Sequence, residues 1–309
     1  MKKTHSKDSK KINVVLKIAR LFLLIIIICC LIYIFSWFNE NQKNKNLLSN
    51  LRDTNIVGET TIQIPVSEEN ATETDSAEGK VIEIQSYELN FENLLKTNNS
   101  TVGWINVPNT SINYPVVQAD NNNFYLNHTF DKSKNTAGWI FADYRNLFDG
   151  TDKNIIIYGH NRMDTSMFAT LKNTQKPNWY NNSNNKYITF TTPDETHVYE
   201  VFSVYTIKAE SYYLTTYFNN DESYLNFLNE MKSRSIHDFG VNLNSTDKIL
   251  TLSTCDSTGK SRVVLHAKQI KWAIGSRPNC SLIIVFFCHH ILSARNSFSF
   301  SFFFNLFWK

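Results

Sequence analysis

The sequence predicts a mainly β body carried behind one N-terminal membrane-spanning helix, and three observations lead there. Leu21 to Phe38 is a run of 18 residues without a charge, close to the ~20 needed to cross a bilayer as a helix. From Val102 to Trp272, short runs rich in β-branched and aromatic residues alternate with Gly, Pro, Asn and Asp turn compositions. Only a few short stretches there carry apolar residues at helical spacing, and no internal repeat is evident. A β-barrel or sandwich with a few peripheral helices is the natural class.

The elements follow in order. Residues 1–20 hold seven Lys or Arg and one acid, Asp8. They form a basic segment that places the N-terminus in the cytoplasm. The run 21–38 ends in bulky Tyr33-Ile-Phe-Ser-Trp-Phe38 without a small-residue cleavage site, so it reads as an uncleaved signal anchor with Trp37 at the outer interface. Cys29 and Cys30 are then membrane-embedded side chains. Residues 39–86 are polar and reach Ser67-Glu-Glu-Asn-Ala-Thr-Glu-Thr-Asp-Ser-Ala-Glu-Gly79, so a flexible acidic linker is expected, with a short helix near Asn46 to Arg52. Leu89, Phe91, Leu94 and Leu95 give Tyr87 to Asn98 the spacing of an amphipathic helix.

Strands are expected at Val102–Val107, Ile112–Val117, Gly138–Phe141 and Ile155–Gly159, with a helical turn at Met167–Lys172. Tyr187–Thr191 and Val198–Ile207 alternate like a hairpin. Asp221 to Lys232 carries Leu225, Phe227, Leu228 and Met231 at helical spacing, with Asp221 as the expected N-cap. Residues 87–272 thus form one catalytic-sized body, and 273–309 form a Phe-rich tail without Asp or Glu and without an assignable role.

Charge and cysteine use narrow the function. The formal net charge is +3, and the chain beyond residue 20 is net −3. A basic nucleic-acid binder is excluded for the body. No Cys/His cluster has zinc spacing, no acidic loop fits calcium, and no Gly-rich phosphate loop occurs; no cofactor is implied. Of five cysteines, two lie in the apolar run and two, Cys280 and Cys288, in the tail. Cys255 is the only thiol in the body, so no disulfide framework is implied.

The stretch Lys248 to Trp272 carries the chemistry. Ile249 to Cys255 and Arg262 to Trp272 read as strands around the turn Asp256-Ser-Thr-Gly-Lys-Ser261. If they are neighbours, a thiol closes one strand and a guanidinium opens the next. That pairing suits a nucleophile and an oxyanion partner. His266, four residues after Arg262, shares its strand face and is expected to pack or hydrogen-bond within the sheet.

Thr251-Leu-Ser-Thr-Cys255 followed by Arg262 resembles the signature of the sortases, cysteine transpeptidases of Gram-positive cell surfaces. Asn154-Ile-Ile-Ile-Tyr-Gly-His160 fits the place of their histidine. Tyr114-Pro-Val-Val-Gln118, Phe124-Tyr-Leu126 and Gly138-Trp-Ile-Phe-Ala-Asp-Tyr-Arg145 resemble class B in particular. The resemblance runs from about Tyr87 to Trp272. It implies a sortase-like closed β-barrel of about eight strands with an N-terminal helix. It implies His160, Cys255 and Arg262 as the catalytic residues. By motif position it also implies substrate contacts from Asn122, Leu126, Tyr158, Tyr213, Leu214, Ser253, Thr254 and Asp256.

The implied reaction cleaves a surface protein's sorting signal after Thr, an Asn-Pro-x-Thr type being the class expectation. The product is transferred through a Cys255 thioacyl intermediate to an amine of peptidoglycan or its lipid-linked precursor. The enzyme would be a single-pass membrane protein with its catalytic domain outside. Three other readings stay open: polymerisation of pilin subunits, a non-catalytic peptide-binding module on the same barrel, and a plain cysteine peptidase.

Overall fold

A computed structural model describes residues 4–65, 81–255 and 260–270. Helix α1 runs unbroken from Thr4 to Asn55. It contains the apolar run, whose side chains are exposed, and it continues through the polar residues after it. Strands β1 (Ile56–Pro65) and β2 (Val81–Leu89) then pair antiparallel, from Ile56 opposite Leu89 to Pro65 opposite Val81. The polar composition of 39–86 therefore does not give the expected linker over its described part. Leu47, Leu48, Leu51 and Ile56 pack on the barrel core, and that burial decides the structure where local composition does not. The acidic stretch Ser67 to Gly79 lies outside the described residues.

Helix α2 is shorter than its spacing predicts, Phe91–Thr97, because Tyr87 to Leu89 close β2. Asn90 caps it, its side chain accepting from the Asn93 amide at 3.0 Å.

The body is a closed barrel. Its strands are β3 (Thr101–Asn106), β4 (Asn113–Gln118), β5 (Phe141–Ala142), β6 (Asn154–His160), β7 (Tyr187–Thr191), β8 (Thr196–Lys208), β9 (Ile249–Cys255) and β10 (Ser261–Gln269). Around the barrel they run β10-β8-β7-β3-β4-β5-β6-β9. Closure removes both sheet edges. Trp104, Ile105, Val116, Ile157, Phe190, Val204 and Leu252 are among the side chains filling the main core.

Short helix α3 (Pro177–Tyr180) lies on the surface connection between β6 and β7. Helix α4 (Asp221–Ser233) packs on β8, with Tyr224, Leu228 and Met231 in a second core beside Phe202, Ile249 and Val264. Its N-cap is Asn220 rather than Asp221, closing a capping box with Ser223.

Two further expectations shift. The strand expected at Gly138–Phe141 is only Phe141–Ala142, since Gly138 has φ +60° and Trp139 turns into the core. The turn expected at Met167–Lys172 is a 3-10 segment, Ala169–Gln175. Trp272 and the Phe-rich tail lie outside the described residues.

Candidate active site

The site is built on strand register. β6 and β9 pair in parallel over seven positions, from Asn154 opposite Ile249 to His160 opposite Cys255. Parallel pairing needs both faces covered, and β9 meets that need: Ile249 to Thr254 are all buried. His160 and Cys255 therefore end two neighbouring strands, about 4.8 Å apart across the sheet.

On the other side of β9 runs β10, antiparallel, its ladder opening at Val264 opposite Ser253. Arg262 lies two residues before that pair and Cys255 two residues after it. The Val263 amide donates to Thr254 Oγ1 at 2.8 Å and holds the strands together there. Three strands thus deliver an imidazole, a thiol-bearing residue and a guanidinium to one end of the sheet.

His160 is held by the backbone. Its Nε2 lies 2.7 Å from the Leu126 carbonyl, so Nε2 carries a proton and donates. Among the described residues Nδ1 makes no hydrogen bond. Gly138 makes this arrangement possible. A Cβ there would sit 2.7 Å from the Leu126 carbonyl oxygen and 2.5 Å from that of Tyr125, and its φ of +60° suits glycine. Gly159 is required for the same kind of reason, since a Cβ would meet Ile140 and Phe168 at 2.5 and 2.6 Å. Burial lowers the pKa of His160, the Arg162 charge adds to this, and the Leu126 carbonyl opposes it. The ring is therefore neutral near pH 7.

Beside this edge lies a cleft of about 500 Å³ lined by Asn122, Arg145, Tyr158, Leu214, Thr215 and Tyr217, among others. Its floor is one hydrogen-bonded unit around Asp143, which is fully buried. Asp143 accepts from Arg145 Nε and Nη2 at 2.8 and 2.7 Å, from Tyr158 Oη at 2.7 Å and from Asn122 Nδ2 at 3.0 Å. Burial would raise the Asp143 carboxyl, but these bonds, led by Arg145, hold it below the ordinary carboxylate range. Burial, reinforced by Asp143, pushes the Tyr158 phenol up. Arg145 Nη2 also donates to the Leu214 carbonyl at 2.9 Å and ties the 211–217 connection to the floor.

The eight residues expected to contact substrate divide accordingly. Asn122, Tyr158 and Leu214 line the cleft. Leu126 offers its carbonyl to His160. Tyr213, Ser253 and Thr254 are buried: Tyr213 Oη and Ser253 Oγ bond at 2.9 Å, and Thr254 ties β9 to β10. Asp256 lies outside the described residues.

Asp143 and Arg145 were not singled out by sequence reasoning. The only signal is an acid and an arginine two apart, closing a short apolar run.

His266 is buried as expected. Tyr205 Oη lies 2.9 Å from its Nε2 and Thr251 Oγ1 2.9 Å from its Nδ1. Thr251 donates its own proton to Asn154 Oδ1 at 2.6 Å. The directions are then fixed: Nδ1–H donates to Thr251, and Tyr205 donates to Nε2. Burial lowers the His266 pKa to about 3.

The sortase-domain family profile matches residues 105–270. Sortase B of Staphylococcus aureus (strain NCTC 8325 / PS 47) is 39% identical over 184 residues, covering 59% of this chain and 75% of the relative. The chain belongs to the class B sortases. Among solved structures, sortase B of Bacillus anthracis superposes with a TM-score of 0.60 at 31% identity, over 76% of this chain and 100% of that one. A sortase B complexed with triglycine superposes at 0.56 with 38% identity, over 59% of this chain and 86% of that one. The family match spans β4 to β10, including β6 and β9.

Proposed function

We propose that this class B sortase is a membrane-anchored transpeptidase that joins surface proteins to the cell wall through a thioester on Cys255. The observation that carries the reading is the register placing His160 opposite Cys255, with Arg262 opening the next strand. Cys255 Sγ passes its proton to the open Nδ1 of His160 and attacks the carbonyl carbon of a Thr in the sorting signal. The new S–C bond makes a tetrahedral oxyanion, which Arg262 stabilises with charge-assisted hydrogen bonds from a fixed fork of donors. The C–N bond breaks as His160 delivers a proton to the leaving amine. An incoming amine then attacks the thioester. His160 takes its proton, the new C–N bond forms, and Cys255 Sγ departs and recovers that proton from His160.

The cleft lined by Asn122, Tyr158 and Leu214 binds the signal upstream of Thr. Among the described residues its one lining cation, Arg145, is already matched by Asp143, so the cleft favours an uncharged polar side chain such as the Asn of an Asn-Pro-x-Thr signal. The triglycine complex of the similar sortase B supports an amine of cell-wall peptide as the acceptor. Within α1, the apolar run 21–38 anchors the chain, and the basic residues before it keep the N-terminus inside.

The test uses the full chain in detergent, with Cys255 and as Cys255→Ala, and sorting-signal peptides with and without triglycine. Cleavage after Thr, an acyl adduct on Cys255 and a triglycine-dependent product by mass spectrometry are expected. Hydrolysis indifferent to triglycine would make it a plain cysteine peptidase. Peptide bound but never cleaved would make it a binding module. A preference for a Lys-bearing pilin acceptor would make it a polymerase.

A further inference from the structure

The anchor helix and the barrel share more than a chain. Because α1 is one helix, the apolar run and the part packed on the barrel have a common axis. Side chains on α1 are exposed from Val15 through Asn39, and the barrel begins to cover the helix at Glu40. Thr136 Oγ1 donates to Glu40 Oε2 at 2.8 Å, Asn135 Nδ2 donates to the Glu40 carbonyl at 3.3 Å, and Arg162 Nη2 donates to Asn41 Oδ1. Further along, Leu47, Leu48 and Leu51 join the core, and Arg52 donates to the Asn113 carbonyl at 2.7 Å.

The first contacts after the apolar run are therefore made by segments next to the site. Arg162 follows His160 by two residues. Asn135 and Thr136 lead into Gly138, which holds the Leu126 carbonyl against His160. Phe38 to Asn41 is a rise of about 4.5 Å, less than the roughly 5–7 Å depth of a headgroup layer.

The surface exposed at this level is suited to lipid. Met163, next to Arg162, is 92% exposed. Lys132 and Lys134 are exposed on the loop that ends at Thr136. Of the acids nearby, Asp164 is paired with Arg162, whereas Asp131 and Glu40 bond the neutral hydroxyls of Thr129, Ser133 and Thr136 and keep their charge. Lys132 bonds the neutral Asn99 side chain and keeps its charge unmatched.

We propose that the His160 edge of this sortase rests on the bilayer, with Met163 at the headgroup–acyl boundary and Lys132 and Lys134 reaching headgroup phosphates. The enzyme then acts on a scissile bond presented at the membrane surface, on a donor still held by its own apolar span. The inference rests on the anchoring reading above.

The full chain is placed in nanodiscs of phosphatidylcholine containing phosphatidylglycerol, with p-benzoylphenylalanine at position 163 or at position 182. Asn182 is the control: it is exposed near Asn185, which bonds Asn109 in the β3–β4 turn. Arg52, roughly 16 Å further along α1 than Asn41, reaches the same turn. Lipid adducts at 163 at least fivefold above those at 182 are expected. A second arm compares a donor peptide carrying its own apolar span with a soluble one. The combined Lys132→Glu, Lys134→Glu, Met163→Asp variant should lose five- to tenfold on the tethered donor and stay within twofold on the soluble donor. Equal labelling at both positions, or equal loss on both donors, would overturn the docking alone. A chain that does not stay with the nanodiscs would overturn the anchoring itself.

Discussion

The catalytic edge and the cleft beside it are held in different ways. At the edge, His160, Cys255 and Arg262 owe their places to backbone pairing of β6, β9 and β10, and the residues beneath them are ordinary buried strand residues. In the cleft, Asn122, Arg145, Tyr158 and the Leu214 carbonyl are arranged by the single carboxylate of Asp143 and the guanidinium it binds. Backbone register survives loss of a side chain. A side-chain network does not, because its remaining members stay buried and unpaired.

Three measurements would break or sharpen that contrast, in decreasing order of effect on catalysis, and a fourth reads stability against pH. Cys255→Ala should lower transpeptidation at least about 1,000-fold while circular dichroism keeps the barrel spectrum, as expected of a residue placed by pairing. Asp143→Ala should act on both properties. It leaves Tyr158 and half-exposed Arg145 unmatched, so we expect about 2–3 kcal/mol less stability in urea and a 10- to 100-fold fall in kcat/KM, mostly in KM.

Gly138→Ala tests the backbone support of the histidine. The added methyl collides with the Leu126 carbonyl, so kcat should fall about tenfold through the His160 position. The accompanying loss is of order 1–2 kcal/mol for a non-glycine residue at positive φ.

The fourth measurement is of stability against pH, and it probes the middle of β9, where His266 of β10 meets Thr251, rather than its end. The folded-state pKa of His266 is about 3, below the ~6.5 of the unfolded chain. Its contribution is complete above pH 6.5 and is lost as pH falls towards 3. At pH 4 the loss is roughly 3 kcal/mol, with His160 and His197 adding in the same direction. Urea midpoints at pH 7 and pH 4 in the chain and in His266→Gln should differ less in the variant.

The same contrast explains what could be read from the sequence. Ile249 to Cys255 announces a buried strand by its own composition, and a thiol at its end followed by an arginine is a local pattern. The hairpin over Tyr187 to Lys208 is legible for the same reason. Asp143-Tyr-Arg145 looks like any polar turn, and only the fold makes Asp143 fully buried. The 39–86 region misleads in the opposite direction. Its polar residues suit a linker, and the few apolar ones that fix it (Leu51, Ile64 and Ile84) find their partners only through tertiary or hairpin packing. Helix ends differ from the apolar spacing by a residue or a few, because Asn90 and Asn220 cap through side-chain geometry that spacing does not reveal.

The long excursion between β6 and β9 has a consequence for biogenesis. The Thr251–Asn154 bond joins residues 97 positions apart, and β7, β8 and α4 all form in between. Such a closure carries a large loop entropy and comes late in folding. Cys255 and His160 become neighbours only when the barrel shuts. On the proposed function, a chain still emerging across the membrane, or one halted midway, is therefore chemically silent towards the amide bonds around it.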